Sequence, residues 1–185
     1  LEGDYYKGPL RGTLPAGIEL GVALHRAIDA YTDRHPVVGE LRRNMPPGLR
    51  RYAGILIDLS FDHYLAVHWE RFGSLPMRQF RAQVYRVLSD RETQLSVGSQ
   101  EMLSRLVEHD ILALYLHWNT VPATAERLGR RFRGGNPLTD VDQALAPIRH
   151  LMEQAFLDFY PQLQDFSAAT ASELRDGIAP GRKTP

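Results

Sequence analysis

Cysteine is missing from the 185 residues of this sequence, and its absence excludes a disulfide scaffold, a zinc–thiolate site and a thiol nucleophile. Any metal ion must therefore be held by histidine, aspartate and glutamate. The chain also lacks a charge excess, since basic and acidic residues balance at 22 each, whereas a general nucleic-acid binder would be strongly basic. No apolar run reaches the ~18 residues that a membrane-spanning helix needs, and residues 1–8 show no signal-peptide pattern.

Lysine is scarce as well, because only Lys7 and Lys183 are lysine and the other 20 of the 22 basic residues are arginine. Arginine binds phosphate or carboxylate through two parallel hydrogen bonds. The alternative is that a GC-rich genome enriches arginine without any such role. Hydrophobic residues make up 43% and charged residues 24% of the chain, a balance that excludes a disordered or collagen-like protein. Because the sequence starts at Leu1 without a methionine, we expect native residues upstream of it.

The hydrophobic pattern is helical along nearly the whole chain. Apolar residues recur at three- and four-residue spacing between proline and glycine breaks, and no stretch alternates with the two-residue period of a strand. We therefore predict an all-α fold, a helical bundle that forms one domain over 1–185. Helical segments are predicted at 18–31, 50–72, 77–89, 100–132 with an interruption at 121–122, and 141–160. The last is expected to kink at Pro147 and to end before Pro161, and 167–185 to form a less ordered tail whose end, 177–185, is frayed.

The first of these helices carries an unusual polar stripe. His25, Asp29 and Asp33 follow one another at four-residue spacing, which places an imidazole and two carboxylates on one helix face. The alternative is a solvated face, on which Asp29 pairs with Arg26 and Asp33 pairs with Arg34.

The apolar stretch at 54–69 contains two aspartates four residues apart, Asp58 and Asp62. A helix this apolar should be largely buried, and a buried carboxylate without a partner is costly. An arginine, a histidine or a metal ion should therefore compensate the charge. His63 and His68 add imidazoles on other faces of the helix, and a core His63 that bonds a backbone carbonyl is the alternative to a ligand.

These two helices together offer imidazole and carboxylate ligands without thiolate, a set that suits Mn²⁺, Fe²⁺, Mg²⁺ or Zn²⁺. Such a centre activates water and neutralises phosphoryl oxygens, which favours hydrolysis of a phosphoester. The spacing predicts a metal site and names no substrate.

At these residues the chain resembles the acyl-carrier-protein phosphodiesterases, also called ACP hydrolases. The motifs that carry the resemblance are GDYYKG at 3–8, HRAIDAYTDRHP at 25–36 and DLSFDHYLAVHW at 58–69. FYP at 159–161 is similar to the C-terminal end of that family, while 77–133 matches only loosely. Members of the family begin with a short segment containing Ala-His-Leu, and this sequence starts after that element.

The resemblance implies a distorted, all-helical relative of the HD-domain phosphohydrolases in the bacterial cytoplasm, active in the metabolism of fatty-acid synthesis. It implies a divalent metal, Mn²⁺ first, with Mg²⁺ or Fe²⁺ as alternatives. The reaction would hydrolyse the phosphodiester between 4′-phosphopantetheine and a serine of holo-acyl carrier protein, giving apo-acyl carrier protein and 4′-phosphopantetheine. The alternatives are an HD-type phosphohydrolase acting on a nucleotide or another small phosphodiester, and a non-catalytic helical binding protein.

Carried over position by position, the resemblance also predicts the site residues. The expected metal ligands are His25, Asp29, Asp62 and His63. The expected catalytic residues, which complete the site, position water or orient the ligating histidines, are Asp4, Asp33 and Asp58. Lys7 and Arg26 are candidates to hold phosphate oxygens, with exposed surface charges as the alternative.

A small, acidic carrier protein should dock on a basic surface, because opposite charge speeds encounter. The favoured surface precedes the 58–69 helix and consists of Arg42, Arg43, Arg50 and Arg51. A second cluster consists of Arg127, Arg130, Arg131 and Arg133. The alternative is that arginines at helix ends simply complement the helix dipole. No nucleic-acid or membrane partner is expected.

The remaining histidines and aromatic residues are predicted to be structural. His109-Asp110 is read as a helix start, with Asp110 as the cap of the helix that follows. His117 and His150 are expected to have no role in the site. Core positions are predicted for the large aromatic side chains Trp69, Trp118, Phe156 and Phe159.

Overall fold

The computed structural model describes residues 1–132, 135 and 137–178, with side chains described up to 176. Residues 133, 134 and 136, which separate the predicted helices ending at 132 and beginning at 141, lie outside the described residues. So does the end of the predicted tail, at 179–185. The helices are α1 (Glu2–Tyr5), α2 (Ala16–Arg34), α3 (Pro36–Asn44), α4 (Ala53–Val67), α5 (Trp69–Phe72), α6 (Met77–Ser89), α7 (Val97–Glu108), α8 (Ile111–Leu114), α9 (Thr120–Gly129), α10 (Val141–Leu145) and α11 (Arg149–Ile178).

The described residues contain these helices and three 3₁₀ turns, at Pro47–Tyr52, Glu92–Gln94 and Ala146–Ile148, and no strand. The all-α fold class is therefore confirmed. The predicted stretch at 50–72 divides into a 3₁₀ turn, α4 and α5. No helix in the described part of the chain is both long and apolar enough to cross a membrane.

The corner between α2 and α3 follows from Pro36. Proline disfavours helical backbone at the preceding residue, and His35 accordingly has an extended ψ of 131°. Helix α2 therefore ends at Arg34, and α3 begins at Pro36 with proline in its first turn, where a missing N–H costs nothing. This corner brings the end of α2 next to α3.

The core is built around α4 and α11. Helix α4 packs against α9 and α11, and α11 also packs along α2 and α3. Leu56 and Ile57 of α4 and Phe156 and Phe159 of α11 are fully or almost fully buried, as the sequence predicted for the two phenylalanines. Because α4 is apolar on most sides, its remaining polar residues must find partners or face a cleft.

Helix α11 is longer than its sequence predicts. Pro147 does interrupt the helical stretch, as a 3₁₀ turn between α10 and α11. Pro161, however, lies inside α11, so the expected stop was wrong. The helix continues through 167–178, the first part of the predicted tail. The reason is tertiary packing along α2: the Phe166 ring stacks on Tyr31 at 4.2 Å, and Ala171 is buried. Such packing outweighs the cost of one proline.

The start of α8 also departs from the prediction. Asp110 stands at the N-cap position, but its side chain makes no capping hydrogen bond. Its carboxylate instead accepts hydrogen bonds from Arg81 and from the Tyr85 hydroxyl, the latter at 2.7 Å. The backbone of Asp110 is left-handed, with a φ of 45°. Asp110 therefore ties the start of α8 to α6 and does not act as the predicted cap.

Candidate active site

A cleft of about 700 Å³ opens where α1, α2, α4 and α11 meet. The polar residues that line it are Asp4, His25, Asp29, Thr32, Asp33, Asp58 and Asp62. The other residues that line it are Ile28, Phe61, Leu65, Phe156, Phe159, Tyr160 and Leu163. Six of the seven residues predicted as ligands or catalytic acids therefore share one cavity.

His25 stands at the centre of the polar group. Its Nε2 atom lies 3.3 Å from Asp4 Oδ1 and 3.4 Å from Asp29 Oδ2. The contact with Asp29 follows from the four-residue spacing on α2, whereas the contact with Asp4 depends on the placement of α1. His25 is 30% exposed and each carboxylate 60% exposed, so all three are open to a ligand in the cleft.

Gly3 explains why the short α1 can reach α2. A Cβ atom at this position would lie 2.1 Å from Cδ2 of His25, so that any side chain larger than hydrogen would displace the imidazole. Arg26 secures the same segment, because its guanidinium donates a hydrogen bond of 3.0 Å to the Tyr6 carbonyl oxygen and lies over the Tyr6 ring. The Gly-Asp pair at 3–4 thus delivers a carboxylate to His25.

The other carboxylates of the cleft interact with one arginine and with one another. Arg42 of α3 bonds Asp33 at 2.5 Å across the α2–α3 corner. Burial raises the pKa of Asp58, the charges of Asp29 and Asp33 add to the increase, and the positive charge of Arg42 opposes it. The excess of negative charge therefore extends over α2 and α4.

The Asp62 side chain is exposed to water in the cleft, although many protein atoms surround it. Burial raises its pKa to about 7, the charge of Asp58 adds to the increase, and a hydrogen bond from the Tyr115 hydroxyl opposes it. Without a cation, Asp62 is thus partly protonated near neutral pH. A cation bound beside it would favour the ionised carboxylate.

In the described part of the chain, no three or more His, Asp or Glu side chains are already arranged as a metal-ligand cage. The chemistry of the donors in the cleft nevertheless fits a divalent ion. One imidazole and several carboxylates are the ligands that Mn²⁺, Mg²⁺, Fe²⁺ and Zn²⁺ accept. Burial first and neighbouring carboxylates second raise the pKa values of Asp58 and Asp62, and a cation bound beside them would lower both.

The structure does not bring His63 into this cleft. Its Nδ1 atom donates a hydrogen bond of 2.7 Å to the Tyr115 carbonyl oxygen, and its buried ring meets the Trp118 ring edge-on at 5.3 Å. Adjacent helical residues point ~100° apart, so that Asp62 faces the cleft while His63 faces the segment between α8 and α9. This placement matches the alternative of a core histidine and not that of a metal ligand.

The predicted phosphate-binding residues are also placed elsewhere. Arg26 bonds Tyr6, and Lys7 is exposed and does not line the cleft. Arg43, Arg50 and Arg51 are exposed around the end of α3 and the following 3₁₀ turn. Arg42, predicted with them as part of a docking surface, is instead held by Asp33 beside the cleft.

Sequence reasoning missed the contribution of aromatic residues to the site. Tyr115, which touches both Asp62 and His63, lies in the loosely matching part of the chain, where no spacing connects it to α4. Tyr160 lines the cleft, and its position in the FYP motif was the available signal. Phe61 could have been found from its place between Asp58 and Asp62.

His63 yields a stability prediction. We expect His63→Ala to lower the free energy of unfolding by about 2 kcal/mol, because it removes a buried hydrogen bond and ring packing. Urea unfolding followed by far-UV circular dichroism measures this, with the exposed His150→Ala as the control. Unchanged stability combined with weaker metal binding would return His63 to the ligand set.

Comparison with known proteins gives a consistent result over most of the chain. A family model described as acyl carrier protein phosphodiesterase matches residues 1–163. A protein of that name from Klebsiella pneumoniae (strain 342) is 32% identical over 173 residues, covering 88% of this chain and 85% of that protein. Proteins of the same name from Enterobacter sp. (strain 638) and Photorhabdus laumondii are 30% and 26% identical, over 88% and 89% of this chain and 85% and 84% of their own lengths. No solved structure matches.

Proposed function

The chain belongs to the acyl carrier protein phosphodiesterase family, which makes it a phosphodiester hydrolase, and we propose that it cleaves holo-acyl carrier protein. The bond hydrolysed is the phosphodiester between 4′-phosphopantetheine and a serine of the carrier. Water attacks phosphorus, the bond to the serine oxygen breaks, and that oxygen takes up a proton. The products are apo-acyl carrier protein and 4′-phosphopantetheine, in the bacterial cytoplasm.

The observation that carries this proposal is the cleft in which His25 and five aspartates meet. We propose that His25, Asp29 and Asp62 hold a divalent metal ion, Mn²⁺ first and Mg²⁺ or Fe²⁺ as alternatives, and that Asp4 completes the set through its contact with His25. Bound there, such an ion supplies Lewis-acid polarisation of the phosphoryl oxygens. The relationship to HD-domain phosphohydrolases stays a prediction.

The residues around this ligand set have separate tasks. Asp58 faces the same cleft and has a raised pKa, which suits a carboxylate that accepts a proton from the attacking water. Asp33 holds Arg42 at the corner of α2 and α3. The guanidinium can there offer hydrogen bonds to a phosphate oxygen, the task that the sequence assigned to Lys7 and Arg26.

The direct test is the mass of holo-acyl carrier protein after incubation with the protein, with Mn²⁺ and with a chelator. We expect a loss of the whole phosphopantetheine group that depends on the metal. Activity that persists in chelator would remove the metal from the proposal. An unchanged carrier, together with cleavage of a nucleotide phosphodiester, would favour the alternative hydrolase.

The carrier protein requires a docking surface, and we propose the basic turn, defined as Arg43, Arg50 and Arg51. These side chains are exposed, and the turn directly precedes α4, which carries Asp58 and Asp62. Arg42 is left out of this surface, because Asp33 holds it beside the cleft. The second cluster is the alternative surface; of its members, Arg133 lies outside the described residues.

Charge reversal separates docking from chemistry. We expect Arg43→Glu/Arg51→Glu to lower kcat/KM for holo-acyl carrier protein about tenfold at low salt, since repulsion slows encounter. The difference should shrink at high salt, where exposed charges are screened. Stopped-time assays by mass spectrometry measure both conditions.

The matched control reverses two exposed arginines of the second cluster, Arg127→Glu/Arg131→Glu. It should leave kcat/KM close to wild type. A larger loss in this control than in Arg43→Glu/Arg51→Glu would move the docking surface to α9.

A further inference from the structure

The cleft is chemically divided. Its acids and His25 come from α1, α2 and α4, whereas α11 contributes only Phe156, Phe159, Tyr160 and Leu163. Around the two buried phenylalanines lie five side chains that are only half-buried, here called the apolar wall: Ile28, Phe61, Leu65, Tyr160 and Leu163. The apolar wall therefore stays open to the cleft and is not closed into the core.

Hydrolysis of a phosphodiester by itself does not explain the apolar wall. Carboxylates, a cation and water suffice for the reaction. Apolar side chains that stay open to the cleft forgo the stabilisation that full burial would give them. Ligand sites typically combine an apolar lining with a few polar groups that orient the ligand. A ligand that suits this cleft therefore carries its phosphodiester directly next to a hydrocarbon group.

The arm of 4′-phosphopantetheine has this composition. Its phosphate is attached through one CH₂ group to a carbon that bears two methyl groups, and a hydroxyl and an amide follow. We infer that the apolar wall binds this dimethyl-substituted segment of the arm while the phosphodiester lies among the acids; the inference rests on the proposed function. The wall is then the specificity site that separates this substrate from phosphodiesters without a branched arm.

Tyr160 joins the two halves of the cleft. Its ring packs against Phe72 and Phe156 at 5.0 and 5.1 Å, and the charge of Asp62 acts on its hydroxyl. A tyrosine hydroxyl, whose ordinary pKa is about 10, is protonated at neutral pH and can donate a hydrogen bond. In this position it can bond the hydroxyl or the amide of the arm next to the dimethyl group.

Leu163 provides the sharpest test, because it belongs to the apolar wall and lies on α11, which carries none of the proposed metal ligands. We expect Leu163→Trp, which fills the wall, to lower kcat/KM for holo-acyl carrier protein by at least about tenfold, the effect of losing the contacts of one apolar side chain. The control is Leu151→Trp on the same helix, where the leucine is 40% exposed and outside the cleft.

A second measurement uses pantetheine, which has the arm but neither the phosphate nor the carrier protein. We expect pantetheine to inhibit cleavage by the wild type and by Leu151→Trp competitively, and to inhibit Leu163→Trp at least about tenfold more weakly. Inhibition by inorganic phosphate should be the same in all three proteins. Far-UV circular dichroism checks the fold of each variant. If tryptophan prevents folding, Leu163→Asn replaces Leu163→Trp, because asparagine has the same number and branching of side-chain heavy atoms but removes the apolar contact.

The outcomes separate this inference from the proposed function. A wild type that leaves holo-acyl carrier protein intact contradicts the proposed function and with it the role of the apolar wall. The role of the apolar wall alone is contradicted if the wild type cleaves the carrier but is not inhibited by pantetheine, and the folded Leu163 variant has the kcat/KM of the wild type. If the Leu163 variant is inhibited more weakly by phosphate and by pantetheine to the same extent, Leu163 shapes the whole cleft, and the inference is also overturned.

Discussion

His25→Ala is expected to lower the rate of holo-acyl carrier protein cleavage by at least about 100-fold, the scale of disrupting a metal site. The imidazole touches Asp4 and Asp29 at once, so its removal takes away one proposed ligand and the contact that orders two others. The helical circular dichroism signal and the unfolding midpoint should stay close to wild type, because His25 is partly exposed in the cleft. The mass of the carrier protein over time provides the rate, and inductively coupled plasma spectrometry the metal content.

The matched control is His150→Ala, which removes an exposed histidine of α11 that does not line the cleft. This variant should keep both the rate and the metal content. Asp62→Ala should lose turnover as His25→Ala does, although the two residues lie on different helices. Full activity in either His25→Ala or Asp62→Ala would remove the proposed ligand set.

Phe156→Ala is expected to lower the free energy of unfolding by about 3–5 kcal/mol. Phe156 has no exposed surface, and its ring contacts those of Phe61, Phe72 and Tyr160 at 5.1 to 5.7 Å. Truncation to alanine leaves a cavity between α4, α5 and α11 that these elements cannot close without moving. A loss of this size is a large share of the stability of a typical domain.

Guanidinium unfolding of Phe156→Ala, compared with Leu151→Ala on the same helix, measures this effect. Leu151 is 40% exposed, so its truncation should cost about 1 kcal/mol or less. Phe156→Leu should recover part of the loss, because leucine refills much of the cavity. A cost below about 1 kcal/mol for Phe156→Ala would contradict the central position of this ring in the core.

Local signals were sufficient for several helices. Helix α6 spans Met77–Ser89, the predicted range, because Pro76 stands just before it and its apolar residues recur at helical spacing. The predicted stop at Pro161 was wrong for a different reason. A local rule counts the cost of a proline in a helix, but it cannot count contacts beyond that proline, such as the one between Phe166 and Tyr31 of α2.

The candidate site was likewise predictable from the sequence only in part. The contact between His25 and Asp29 was predictable from four-residue spacing, because both residues lie on one helix. The His63 position was not, because sequence spacing leaves open which side of a buried helix faces the cleft. The partners of α4 decide this: Tyr115 and Trp118 take the His63 side.

Composition and spacing along a helix are local properties, and they were enough to predict a helical fold, imidazole and carboxylate as the ligands of any metal ion, and two helices that carry the acids. Which of these acids meet depends on how the helices pack against one another. The packing of the helices sets Gly3 against His25 so that Asp4 arrives beside it, turns Arg42 toward Asp33, and leaves half-buried apolar residues of α2, α4 and α11 open as the apolar wall. These outcomes depend on contacts between residues far apart in the chain, and no local pattern specifies how helices rotate against one another when the core closes.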